Sequence, residues 1–75
     1  MAKISFDNGN TYYDPIEDRD EIAEGLEEHD WDVVVNLMDD ETREDTHLSF
    51  EYDEGDRLGF LIAYLKRADD DLVIG

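Results

Sequence analysis

Twenty-three aspartates and glutamates stand against six lysines and arginines in this chain, a formal net charge of −17 on 75 residues. That imbalance sets the first condition on any fold. Self-repulsion at such density works against the compact state, so the carboxylates must stay at the surface while the apolar residues gather inside. Enough apolar residues are present: hydrophobic types make up 40% of the chain, and that share separates it from disordered chains of high charge. A length of 75 residues corresponds to one domain, residues 1–75, with a modest core and marginal stability. With no cysteine, neither a disulfide framework nor a thiolate zinc site supports it.

The same charge restricts partners. Without a basic patch, direct binding to nucleic acid phosphates or to anionic lipid is not expected. No apolar run approaches the ~18 residues of a membrane span, and MAKISFDNGN lacks the apolar stretch of a signal peptide. The expectation is a soluble, cytoplasmic protein, acting in the host cytoplasm if a phage encodes it. The natural partner of such a surface is basic: a nucleic-acid-binding protein or complex, a basic toxin, or a cloud of cations.

Local patterns suggest the elements. Residues 3–13, KISFDNGNTYY, read as a hairpin turning at Asn8-Gly9, with Ile4 and Phe6 facing the core. DPIEDRDEIAEGLEEH follows as the strongest helix. Asp14 and Glu17 form a capping box around Pro15, and Asp18 with Glu21 offers a second start one turn later. Ile16, Ile22, Ala23 and Leu26 share its apolar face, while Gly25 weakens it by up to ~1 kcal/mol relative to alanine. The β-branched run WDVVVNLM, residues 31–38, predicts a strand covered on both faces. Residues 39–46, DDETREDT, read as a polar connection. HLSFEYD then alternates as a strand, with Leu48, Phe50 and Tyr52 inward, and DEGD (53–56) turns the chain. RLGFLIAYLKRA, residues 57–68, fits helical and strand spacing equally; Gly59, the aromatics and the preceding turn favour a strand. LVIG adds a short terminal strand. The expected fold class is therefore α+β: one amphipathic helix packed on a small antiparallel sheet, in the order β-β-α-β-β-β, with a second helix as the alternative for 57–68. Tyr12, Tyr13, Val34, Met38, Leu61 and Leu65 would line the sheet's other face, half-solvated or an interface.

The placement of charge is the functional signal. In residues 17–32, EDRDEIAEGLEEHDWD, nine acids meet one arginine and no lysine. On a helical wheel, Glu17, Asp20, Glu21, Glu24, Glu27 and Glu28 fill one arc opposite the apolar one. Glu17–Glu21, Asp20–Glu24 and Glu24–Glu28 are like-charge i,i+4 pairs, each destabilising a helix by ~0.2–0.5 kcal/mol. An ordinary solvated face relieves this with lysine. Carboxylates on a helix face lie ~5–6 Å apart at Cβ, and alternate strand residues such as Glu51 and Asp53 ~6.6 Å apart. The phosphates of a DNA strand, one charge per ~3.4 Å of axis and winding about it, recur at a similar interval. A second acidic patch comprises Asp39, Asp40, Glu41, Glu44 and Asp45.

These features lead to an expected function: a nucleic-acid-mimicking inhibitor, monomeric or homodimeric, that occludes the basic groove of a DNA- or RNA-binding complex. Inhibitors of the phage anti-CRISPR or anti-restriction kind share the small size and extreme charge, a functional analogy across unrelated folds. Two alternatives stand beside it. Fourteen aspartates against nine glutamates, and two lysines against four arginines, resemble the proteomes of salt-in organisms, where acidity is salt adaptation. Small acidic α+β proteins also resemble immunity proteins against basic nuclease toxins. There, Tyr12-Tyr13-Asp14 or Asp30-Trp31-Asp32 would supply a hot spot, unless Trp31 is a core anchor. DNGN and DEGD lack calcium-loop spacing, Asp69-Asp70-Asp71 reads as a solvated tail, and His29 and His47 show no ligand spacing. No metal, cofactor or catalytic activity is expected, because no nucleophile sits in a recognisable context and no phosphate loop exists.

Overall fold

A computed structural model describes residues 1–49 and 56–75. In chain order the elements are β1 (Ile4–Ser5), α1 (Arg19–Glu28), α2 (Trp31–Leu37), α3 (Asp40–Ser49), α4 (Arg57–Arg67) and β2 (Leu72–Val73). Among the described residues, four helices and one small parallel ladder thus replace the expected antiparallel sheet with a single helix. β1 pairs with β2 in the register Ile4↔Leu72 and Ser5↔Val73. Parallel neighbours need a long crossover, and here the helical body of the chain supplies it. The expected terminal strand is present, but it runs parallel to the first.

The organising element is α4. Asp56 caps it, its carboxylate accepting the Gly59 amide at 3.0 Å, and Lys66 and Arg67 sit in the last turn, where the helix dipole favours cations. Phe60, Leu61, Ile62, Tyr64 and Leu65 are all buried along it. α1 and α3 each pack against α4. A strand at 57–68 would have buried only alternate residues. Burying neighbours such as Leu61, Ile62, Tyr64 and Leu65 on a broad face is what a helix at the centre of a small core does. The alternative of a helix here is the correct one.

Residues 31–37 are also helical rather than extended. Asp30 caps α2 by accepting the Asp32 amide at 3.1 Å. Trp31, Val34 and Met38, at i, i+3 and i+7, face the core, while Val33 and Leu37 are about half exposed, 47% and 48%. The preference of valine for strands is a matter of tenths of a kcal/mol, and packing overrides it. Residues 40–46 of the polar connection belong to α3, and Asp39 stands at its head. Thr46 is its buried residue, donating its hydroxyl to the Thr42 carbonyl at 2.8 Å. Residues 47–49 of the expected strand continue that helix, and Leu48, expected inward, is 86% exposed. Phe50, Glu51, Tyr52 and Asp53, and the turn at 53–55, lie outside the described residues.

The N-terminal hairpin holds in reduced form. Ile4 and Tyr13 exchange two backbone hydrogen bonds, 3.1 and 2.7 Å, and Asn8 and Gly9 take the positive φ that the turn needs. Ile4 is fully buried and Phe6 packs on the core's edge. α1 begins at the second expected start, after Asp18, so Pro15–Glu17 form a turn, and Ile16 is exposed while Pro15 is buried. Val34, Met38, Leu61 and Leu65, expected on a second sheet face, belong to the core.

Gly25 is buried beneath the Phe6 ring, where a β-carbon would overlap the ring atoms. Tyr13 and His29 flank the ring at centroid distances of 6.4 and 5.2 Å, so a β-carbon at position 25 must push it out of this cluster. Helix propensity alone makes Gly25→Ala a gain of up to ~1 kcal/mol. The close approach makes it a loss of about 1–3 kcal/mol. Urea unfolding reads the sign, and a variant as stable as the parent would contradict this packing.

Candidate functional site

All eleven carboxylates singled out in the sequence lie on exposed residues. Asp20, Glu21, Glu24, Glu27 and Glu28 sit on α1, and Glu17 in the turn before it, so Glu17–Glu21 is not a pair within the helix. Asp20–Glu24 and Glu24–Glu28 remain as like-charge pairs one turn apart. Among the described residues, none of the six carboxylates Glu17, Asp20, Glu21, Glu24, Glu27 and Glu28 makes an ion pair or accepts a hydrogen bond. Lysine and arginine form one ion pair there, Arg43 with Asp40 at 3.1 Å. Arg57 instead lies over the Trp31 ring, 5.8 Å from its centroid. The chain leaves its α1 row without neutralisation.

The second patch divides. Asp39 accepts the Thr42 amide and hydroxyl, both at 3.0 Å, at the head of α3. Its amide donates to the Tyr64 hydroxyl at 2.8 Å, tying α3 to α4. Asp39 is thus a capping residue, and Asp40 is shared with Arg43. Glu41, Glu44 and Asp45 are left without partners among the described residues. Elsewhere, Asp71 accepts the Lys3 amide at 2.8 Å, so it secures the ladder rather than belonging to a solvated tail. Among the described residues no three of His, Asp or Glu converge as they would around a metal ion.

Three aspartates hold their charge more firmly in the fold. The amide of Thr42, then its hydroxyl, lowers the pKa of Asp39. The Thr11 amide and Ser5 hydroxyl do so for Asp7, and the amides of Ile16 and Glu17 for Asp14. A carboxyl with a lowered folded pKa adds stability above its unfolded pKa and loses it as pH falls through the folded value. The stability these three contribute is therefore expected to drop as pH falls below ~4, while protonation of the other carboxylates relieves repulsion. Asp39→Asn keeps a capping side chain but cannot titrate, so its drop is expected to be shallower. Thermal unfolding across acid pH reads both, and an equal drop in parent and variant would contradict this role of Asp39. Burial raises the pKa of the Tyr64 phenol, and the charges of Asp39 and Asp70 add to the shift.

One feature of the site was not assembled from the sequence. Glu21, Glu24 and Glu28, with Gly25 between them, run along α1 at i, i+3, i+4 and i+7, beside the aromatic rings of the hairpin. Together with Phe6 and Tyr13 they line an open groove of about 270 Å³. Gly25 in the stripe could have signalled a close approach to α1, but nothing local names Phe6 and Tyr13 as the partners. Trp31 packs edge-on to Phe60 at 6.2 Å, the contact of a partly buried core residue. Comparison of the chain with protein families, curated proteins and solved structures gives no match.

Proposed function

We propose that the chain is an acidic decoy: it mimics a nucleic acid backbone and occludes the basic groove of a DNA- or RNA-handling protein. Its partner is a basic protein complex, of the kind that phage anti-CRISPR and anti-restriction proteins oppose. One observation carries this reading. The α1 carboxylates are exposed, lie one turn apart and are left without a basic partner, although exchanging Glu24 for lysine would relieve two repulsive pairs. A groove of lysines and arginines would gain from such a row through the electrostatics that draw it to DNA. Glu17, Asp20, Glu21, Glu24, Glu27 and Glu28 form the main contact, and Glu41, Glu44 and Asp45 the accessory one.

The experiment is competition. Restriction and CRISPR effector complexes are loaded with a fluorescent duplex and titrated with the protein. Displacement that weakens as salt rises supports the reading. Retention of the duplex by every complex, at saturating protein and low salt, counts against it.

A further inference from the structure

The geometry points to the groove between the hairpin aromatics and α1 as a receptor for one arginine side chain projecting from the protein partner. This rests on the decoy reading and adds a specific contact to it. The groove is built of two unlike parts. Phe6 and Tyr13 supply aromatic surface, and Glu21, Glu24 and Glu28 supply a rim of three carboxylates without partners among the described residues. No lysine or arginine of the chain lines it.

Charge complementarity selects a cation, and the rings select its shape. A guanidinium is planar: it stacks on an aromatic face while its N–H groups pair with a carboxylate side by side. An ammonium is more strongly hydrated and offers no such plane. The chain itself places one arginine over an aromatic ring, Arg57 over Trp31 at 5.8 Å. An apolar ligand would have to approach three unneutralised charges.

The groove is also set in advance. Tyr13 is held by its two backbone bonds to Ile4, and Phe6 lies against Gly25 and His29. Gly25 at the centre of the stripe is what lets the Phe6 ring come down onto the helix. Preorganised rings lose little freedom when a side chain enters.

The test uses the full chain, ¹⁵N-labelled, titrated with a tetra-arginine peptide and separately with a tetra-lysine peptide. The buffer holds about 0.1 M KCl, where charges beyond about 10 Å are screened. The expected result is that tetra-arginine binds several-fold more tightly than tetra-lysine and shifts the amides of Phe6, Tyr13, Gly25 and Glu28 before those of α3. Tyr13→Leu is expected to weaken tetra-arginine about threefold, the size of an exposed cation–π contact, and to leave tetra-lysine unchanged. Equal affinity for the two peptides, with shifts spread evenly over both acidic rows, overturns the arginine receptor while the decoy reading stands. Binding of neither peptide overturns the arginine receptor, and the duplex competition then decides the decoy reading. The comparison of peptides on the parent chain needs no variant to fold.

Discussion

Reversing Glu21, Glu24 and Glu28 to lysine together is expected to weaken capture of a basic partner by roughly a hundredfold, because three attractive contacts become repulsive ones. The fold is expected to survive. All three residues are exposed, and none makes an ion pair or accepts a hydrogen bond among the described residues. Stability should rise slightly at low salt, since Asp20 and position 24 change from a like pair into an opposite one. Binding and stability therefore move in opposite directions, which separates a surface kept for a partner from one kept for the fold. Circular dichroism and the competition assay read the two quantities on one sample. A folded triple variant that competes as well as the parent would remove this face from the site.

Leu65→Ala is expected to remove about 2–5 kcal/mol of stability. A chain of 75 residues holds only roughly 4–11 kcal/mol in all. Leu65 is fully buried on α4, and its carbonyl accepts the Ala2 amide at 2.8 Å, so the helix that carries α1 and α3 also anchors the N-terminus. The substitution opens a cavity at that junction. Urea unfolding should show a lower midpoint with an unchanged slope. A loss below about 1 kcal/mol, the size usual for surface changes, would contradict a central, buried α4.

How far the fold was legible depends on which residues carried the signal. The helix at α1 was visible because a cap, a proline and an apolar stripe agreed. Its start was misplaced by one turn because two capping signatures, at Asp14 and Asp18, overlap. The hairpin turn was visible in Asn8-Gly9. α2 was hidden by three consecutive valines, whose local preference is weaker than the burial of Val34 and Met38 against the core. α3 was hidden because DDETREDT offers no apolar stripe. Its one buried side chain is Thr46, and its start signal, Asp39 three residues before Thr42, was passed over because polar stretches correlate with loops. In α4 a continuous apolar run fits both periods, and only the capping role of Asp56 and the basic last turn distinguish the helix.

The acidic surface was more legible than the fold, since exposure of a carboxylate follows from its chemistry whatever the element beneath it. The acidic row kept its place on a helix face, except for Glu17 in the turn before it. The second patch kept its exposure but lost Asp39 to capping and Asp40 to Arg43. The groove was illegible because it joins Phe6 and Tyr13 to a helix that begins at Arg19, and contacts between elements have no local signature.

Salt adaptation and partner binding both explain an acidic surface, but they differ in what holds the fold together. Thermal unfolding measured from low ionic strength to multimolar KCl separates them directly. For a surface kept for a partner, the chain is expected to be folded already at about 0.1 M salt, with only a modest rise in unfolding temperature as the repulsion along α1 is screened. A chain that folds only in molar KCl would contradict that reading, and would mean that the carboxylates serve hydration in brine rather than a basic partner.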